Sequence, residues 1–311
     1  MKKVILSLIT ATFILTACNS TIPDDRQETG SASATTTTET TEATTAVSET
    51  VEPTVTEEPL KQKWVGGVNS DLTESDIEIF KLHEEIELWI LEKDIDISLL
   101  SQLDSLETLS IIQSAGYAYI ERTYLISDFS FLKDMTALKS LYLDYGGFDF
   151  NINDIIHLNN LEKLTIASSV ITLSERIDAF PQLKELTFWQ CDIETIDLLC
   201  DLEISKLSFY GCGFQQNNLN GLSEINTLEE LHIDFGINID FTDFENLREL
   251  TINVQSIDFS IELLYELTQL EVLTIRSGLI TNEQCVEFKE KNPGCDLYMS
   301  DGQSHWLWES N

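Results

Sequence analysis

Apolar residues recur along this chain in one arrangement: apolar-x-x-apolar-x-apolar, with a further apolar residue a few positions on. Leu138, Leu141, Leu143 and Phe148 show it, as do Leu161, Leu164, Ile166 and Ile171. Leu183, Leu186, Phe188, Cys191 and Ile193 repeat it, then Ile204, Leu207, Phe209, Cys212 and Phe214. Leu228, Leu231 and Ile233 follow, then Leu247, Leu250, Ile252 and Ile257, and Leu270, Leu273, Ile275 and Ile280. Leu106, Leu109 and Ile111 form an earlier unit, and Leu88, Ile90 and Ile95 a degenerate first one. The apolar-x-apolar core of each unit has the period of a strand with one buried face. Units start at 85, 106, 138, 161, 183, 204, 228, 247 and 270, at steps of 19 to 32 residues. A fixed period of this size is the mark of a stacked-coil protein.

No single unit can bury its own apolar side chains. Stacking neighbours about 4.8 Å apart joins one strand per unit into a parallel sheet over a continuous core. The pattern over residues 80–299 resembles the leucine-rich-repeat family. The resemblance implies an α/β solenoid: a horseshoe of about nine repeats, with the parallel sheet on the concave face, on the order of 38 Å long. The family's asparagine ladder is mostly absent: Ser114, Gly146, Ser169, Gly236, Gln255 and Gly278 occupy it. Open solenoid ends need covering. Residues 71–81, with Ile77 and Phe80 on one side, predict a short helical cap before the repeats. Residues 282–291 predict a second helix, stopped by Pro293-Gly294 and followed by a strand at 296–299. Trp306 and Trp308 are expected to cover that end.

The chain opens differently. Lys2 and Lys3 precede a short apolar run from Val4 to Thr16, too short for a mature membrane span. Basic start, apolar run and small residues at a cut site describe a secretory signal. Leu15-Thr16-Ala17-Cys18 resembles the bacterial lipobox. That resemblance implies lipidation of Cys18 and residues 1–18 as a signal peptide. The expected location is the outer side of a cell membrane, held by lipid. Residues 19–60 then hold 13 Thr, 9 Asp or Glu and a single base, Arg26. This composition lacks the apolar surface to offset ordering entropy, so it reads as a disordered linker. Residues 61–311 form the repeat domain.

The formal net charge is −36, and residues 61–311 alone hold 15 basic and 45 acidic residues. Such a surface repels nucleic acid and favours basic partners, or simply solubility. Five cysteines follow Cys18. Cys191 and Cys212 share a ladder position in neighbouring units and could bridge, although buried free thiols are the favoured reading. Cys285 and Cys295 flank the last helix, and Cys200 lacks a mate. None has zinc-site spacing. Ser130-x-x-Lys133 matches an acyl-transferase motif without its companions. Asp149-x-Asn151-x-Asn153 begins like a calcium loop but lacks the required glycine and glutamate. Nothing assembles nucleophile, base and oxyanion donors. The reading is therefore a non-enzyme without cofactor or metal.

Side chains between the buried leucines face the open side of the sheet. Tyr142, Thr165, Thr187, Ser208, His232 and Thr251 make one column; Asp144, Ala167, Trp189, Tyr210, Asp234 and Asn253 make the next. Tyr145, Gln190, Phe235 and Val254 make a third. Tyr and Trp are the usual anchors of interfaces. The predicted binding residues on this face are therefore Tyr142, Asp144, Tyr145, Trp189, Gln190, Tyr210, His232, Asp234 and Phe235. A second candidate is the long step between 106 and 138, with Tyr117, Tyr119, Arg122 and Tyr124. The expected function is recognition of a protein or peptide. The alternative is a cell-wall or host glycan, which stacked aromatics with Asp, Asn and Gln also suit.

Overall fold

A computed structural model describes residues 63–92, 95–113, 128–144, 149–150, 155–171, 180–215, 219–234, 239–253, 260–277, 279–300 and 306–309. The expected signal peptide, Cys18 and the linker lie outside them.

One sheet of twelve strands organises the repeat domain, and its strands lie side by side in chain order. The first four are β1 (Lys63–Val68), β2 (Glu85–Ile90), β3 (Thr108–Gln113) and β4 (Ser140–Asp144). The next four are β5 (Lys163–Ala167), β6 (Glu185–Trp189), β7 (Lys206–Tyr210) and β8 (Glu230–Asp234). The last four are β9 (Glu249–Asn253), β10 (Val272–Arg276), β11 (Asp296–Ser300) and β12 (Trp306–Glu309). All pairings from β1 to β11 are parallel, and only β12 runs antiparallel, on β11. Parallel neighbours in chain order require the chain to return on the far side of the core after every strand. The result is a solenoid of stacked coils, one strand per coil.

Its register follows from the apolar pattern. Ile86, Leu109, Leu141, Leu164, Leu186, Leu207, Leu231, Leu250, Leu273 and Leu297 pair in one row. Leu88, Ile111, Leu143, Ile166, Phe188, Phe209, Ile233, Ile252, Ile275 and Met299 make the next inward row, and every member of both rows is buried. Shifting one coil by a residue would turn its leucines outward, so the rows lock the register. The returning segments fill the core from the other side. Short 3-10 turns at Ser98–Gln102, Ser130–Asp134, Asn220–Glu224 and Ile261–Leu264 bury Leu100, Leu132, Leu222 and Leu264. Ser130 and Lys133 belong to one of these turns, where the Ser130 N–H donates to Asp128.

A second, four-stranded parallel sheet forms where the chain turns away from β4 to β7. Its members are Asp149–Phe150, Val170–Ile171, Asp192–Ile193 and Gly213–Phe214. Here the two ladder cysteines each donate to a carbonyl of the preceding coil. Cys191 Sγ donates to the Ile166 carbonyl at 3.4 Å, and Cys212 Sγ to the Phe188 carbonyl at 3.3 Å. Both are free thiols, as are Cys200, Cys285 and Cys295. Cys200 donates to the Gly221 carbonyl at 3.0 Å. A Cβ at Gly221 would stand 3.1 Å from that sulfur, so a side chain there would have to push the Cys200 sulfur aside by a few tenths of an ångström.

Helix α1 (Glu74–Phe80) lies between β1 and β2 and buries Ile77 and Phe80. Helix α2 (Asn282–Lys291) lies between β10 and β11 and buries Cys285 and Phe288. Thr281 and Gln284 start α2 reciprocally: the Gln284 N–H donates to Thr281 Oγ1, and the Thr281 N–H to Gln284 Oε1. The apolar pattern predicts both helices but no strand at β1, whose Gly66-Gly67 pair interrupts the apolar alternation. The Trp64 ring lies over Gly66, and Leu91 over Gly67.

Candidate functional site

The outward face of the sheet carries three rows. The first, at the strand starts, holds three lysine–glutamate pairs between neighbouring strands. Lys63 bridges Glu85 at 2.9 Å, Lys163 bridges Glu185 at 2.7 Å, and Lys206 bridges Glu230 at 2.6 Å. These exposed pairs stabilise weakly, but they occupy the lysines.

The second row is Glu87, Ser110, Tyr142, Thr165, Thr187, Ser208, His232, Thr251, Thr274 and Tyr298. It is less open than the sequence suggests. Ser208, between Thr187 and His232, is buried, and His232 keeps only 9% of its surface. The tall neighbours of the third row explain this, because side chains two residues apart share one face. The Tyr210 ring stands 4.1 Å from His232, centre to centre. Burial pushes the Tyr142 hydroxyl up to about 12, helped by the charge of Asp144 and by Cys191.

Asp144, Ala167, Trp189, Tyr210 and Asp234 form the middle of the third row, on β4 to β8. Asp144 pairs with Ala167, Ala167 with Trp189, and Trp189 with Tyr210. Trp189 keeps 47% of its surface exposed. Its ring lies 5.2 Å from that of Tyr210, tilted by 31°. The contact passes from Tyr210 to His232, whose Nε2 lies 3.0 Å from Asp234 Oδ1. Asp234 Oδ2 accepts from the Gly211 N–H at 3.1 Å. Burial pushes the Asp234 carboxyl up. The hydrogen bond and charge of His232, the Gly211 N–H and the charge of Arg276 outweigh it and hold the group below its usual range.

That last bond completes a backbone series. The Ser168 N–H donates to the Trp189 carbonyl at 2.8 Å, and the Gln190 N–H to the Tyr210 carbonyl at 2.7 Å. At the third coil the Asp234 side chain takes the place of a carbonyl. Ser168, Gln190 and Gly211 all adopt left-handed backbone, with φ of 52°, 53° and 61°. Only glycine does so without a steric cost of about 1–2 kcal/mol. Gln190 is thereby displaced from its expected sheet column: it is an exposed turn residue just past β6. A two-residue strand period cannot continue through a left-handed residue.

Six of the nine residues expected on this face are therefore brought onto one surface: Tyr142, Asp144, Trp189, Tyr210, His232 and Asp234. Tyr145 and Phe235 lie outside the described residues, as do Tyr117, Tyr119, Arg122 and Tyr124. Sequence reasoning missed a further pair on the same face. Trp89 pairs with Ile112 in the third row, keeps 38% exposure, and donates from Nε1 to Glu87 Oε1 at 2.8 Å. The same alternation that places Trp189 could have found it, since Trp89 stands between Leu88 and Ile90. Arg276, also in the third row, was missed for lack of any aromatic neighbour. Among the described residues no group of three or more His, Cys, Asp or Glu could hold a metal ion.

No protein-family model and no curated protein matches the sequence. Solved structures with a similar course of the chain include internalin C2 of Listeria monocytogenes, at 19% identity over 66% of this chain and 84% of that one, with a TM-score of 0.46. A leucine-rich-repeat protein of Leptospira interrogans aligns at 15% identity, covering 73% of this chain and 57% of its own, with a TM-score of 0.45. The parallel register and the two buried rows of this chain define its fold by themselves.

Proposed function

We propose that this chain is a non-catalytic surface protein that holds another protein or a peptide on the open face of its sheet. One observation carries the reading: Trp189, Tyr210, His232 and Asp234 form an unbroken line of contacts across three strands, with an indole left nearly half exposed. Exposed aromatics on a rigid, hydrogen-bonded platform are what interfaces use as anchors. The hydroxyls of Thr165 and Thr187 beside them offer partners to a bound backbone. Cross-linking on intact cells tests this. Trp189→Ala with Tyr210→Ala, in protein whose circular dichroism is unchanged, should lose the cross-linked partners of the unaltered chain. The same partners in the same yield would end the proposal.

Stacked Trp and Tyr beside carboxylates also suit a sugar ring. Saturable binding on a glycan array, abolished by the same double substitution, would decide for a glycan.

Residues 1–18 act as a signal, Cys18 carries the lipid, and residues 19–60 space the repeat domain from the outer membrane surface. The lipobox-like Leu15-Thr16-Ala17-Cys18 and the Thr-rich composition support this. Helix α1 at one end and α2 with β12 at the other serve as caps of a horseshoe of about nine repeats whose open sheet face is concave. Labelling cells with a radioactive fatty acid should mark the unaltered chain and not Cys18→Ser; equal labelling of the two would refute lipid anchoring through that residue.

A further inference from the structure

The occupant of the open face is left undefined by the reading above, and the inference here rests on that reading. We infer that the face selects a cationic segment: an extended peptide with Arg or Lys side chains about six residues apart, lying across the strands. Three observations converge on this chemistry.

The first is spacing. Asp144 on β4 and Asp234 on β8 stand in the same row, four strand steps apart, about 19 Å. An extended chain covers that distance in about six residues. Side chains at alternate positions share a face. A base at one end would stand beside Asp144, and a base at the other would feel the charge of Asp234, whose side chain is 15% exposed and already holds His232 and the Gly211 N–H. The two alternate positions between them would fall beside Ala167 and over the Trp189–Tyr210 pair. Ala167 is the one small side chain among them and is itself buried beneath its neighbours, so the indole of Trp189 stands above it as the exposed part of this stretch.

The second is the character of the aromatic pair. Trp189 and Tyr210 are tilted against each other rather than stacked flat, and the indole is half open to solvent. A ring face flanked by carboxylates attracts a guanidinium or ammonium by its quadrupole as well as by charge.

The third is electrostatic. The lysines on the same strands, Lys163 and Lys206, are engaged by Glu185 and Glu230 in the first row. The base in the third row, Arg276, stands two strands beyond Asp234, where it marks an end to the cation-selective stretch. Residues 61–311 carry 45 acidic against 15 basic residues. This charge excludes the two occupants nearest to hand. Residues 19–60 of the chain itself hold 9 acids and one base, and a second copy brings a net −36. Both would be repelled, as would nucleic acid, whereas a basic segment would be steered in.

Fluorescence anisotropy on the full-length chain tests the inference with three synthetic peptides. One is a Ser/Thr-rich peptide with two arginines six residues apart; its twins carry glutamine or glutamate instead. The arginine peptide should bind at least about tenfold more tightly than the glutamine twin, and less tightly as salt rises. Trp189→Ala and Asp144→Asn should each weaken it about three- to tenfold, and the glutamate twin should not bind. Asp144→Asn tests the charge even if Asp234→Asn disturbs the fold. Equal binding of the glutamine twin, lost with Trp189→Ala, would overturn cation selectivity while leaving the open face as the interaction site. Arginine-peptide binding indifferent to both substitutions would reduce the effect to net charge and overturn the inference. Failure of the arginine peptide to bind, while partner cross-linking still depends on Trp189 and Tyr210, would overturn the inference alone.

Discussion

Phe209→Ala should cost the repeat domain about 3–5 kcal/mol of stability. Phe209 has no exposed surface and sits in the second inward row on β7. Its ring stacks on Phe188 of the preceding coil, with centroids 5.6 Å apart and planes 11° apart. It also meets Phe214 edge-on at 5.0 Å. Truncation removes both ring contacts and leaves a cavity that the fixed spacing of neighbouring strands cannot close. In a stacked-coil protein each unit is stabilised mainly by its neighbours. The loss should therefore weaken the coils on either side and broaden the unfolding transition. Urea denaturation followed by circular dichroism checks this. Phe209→Leu, which refills most of the volume, should lose much less. A loss under about 1 kcal/mol for the alanine variant would mean that the core does not depend on this stack.

Asp234→Ala has the second largest expected effect, about 2 kcal/mol, for a different reason. It deletes little apolar surface. It leaves the Gly211 N–H and the His232 ring, both held against the sheet, without their acceptor. Asp234→Asn keeps an oxygen for one of them and should cost less. The charge also predicts a pH dependence. The folded carboxyl titrates below its unfolded value, so its stabilisation is present above the unfolded pKa, about 3.9. It is lost as pH falls from there through the lower folded value. Asp234→Asn should flatten the fall in stability below about pH 4 relative to the unaltered chain. Parallel acid denaturation curves for the two would show that Asp234 carries no such linkage.

The two predictions touch opposite faces of adjacent strands, and the sequence informs them unequally. Phe209 is legible from the chain alone. It occupies the same slot as Ile166, Phe188, Ile233 and Ile252, and a slot repeated at a fixed period must face its copies. Asp234 is legible only as an outward residue. Its partners, Gly211 and His232, lie 23 and 2 residues away. The Gly211 bond exists because a left-handed turn ends β7, and a hydrophobic pattern carries no signal for that. Gln190 makes the same point in reverse, since the turn removes it from a column that simple alternation assigns to it. The cysteines are an intermediate case. Their shared ladder position is visible in the sequence, whereas their roles as donors to carbonyls one coil back required coordinates.

What the sequence alone determined is therefore the repeat, the inward rows, the helices flanking them and the identity of the outward side chains. All of these follow from burial at a local period. The tertiary structure decided which outward side chains are open, which are covered and which hold each other. Those depend on the height of neighbours one coil away, about two dozen residues distant in the chain, and on how each coil leaves its strand. Trp189 is exposed and His232 covered because Tyr210 stands between them, leaning on both.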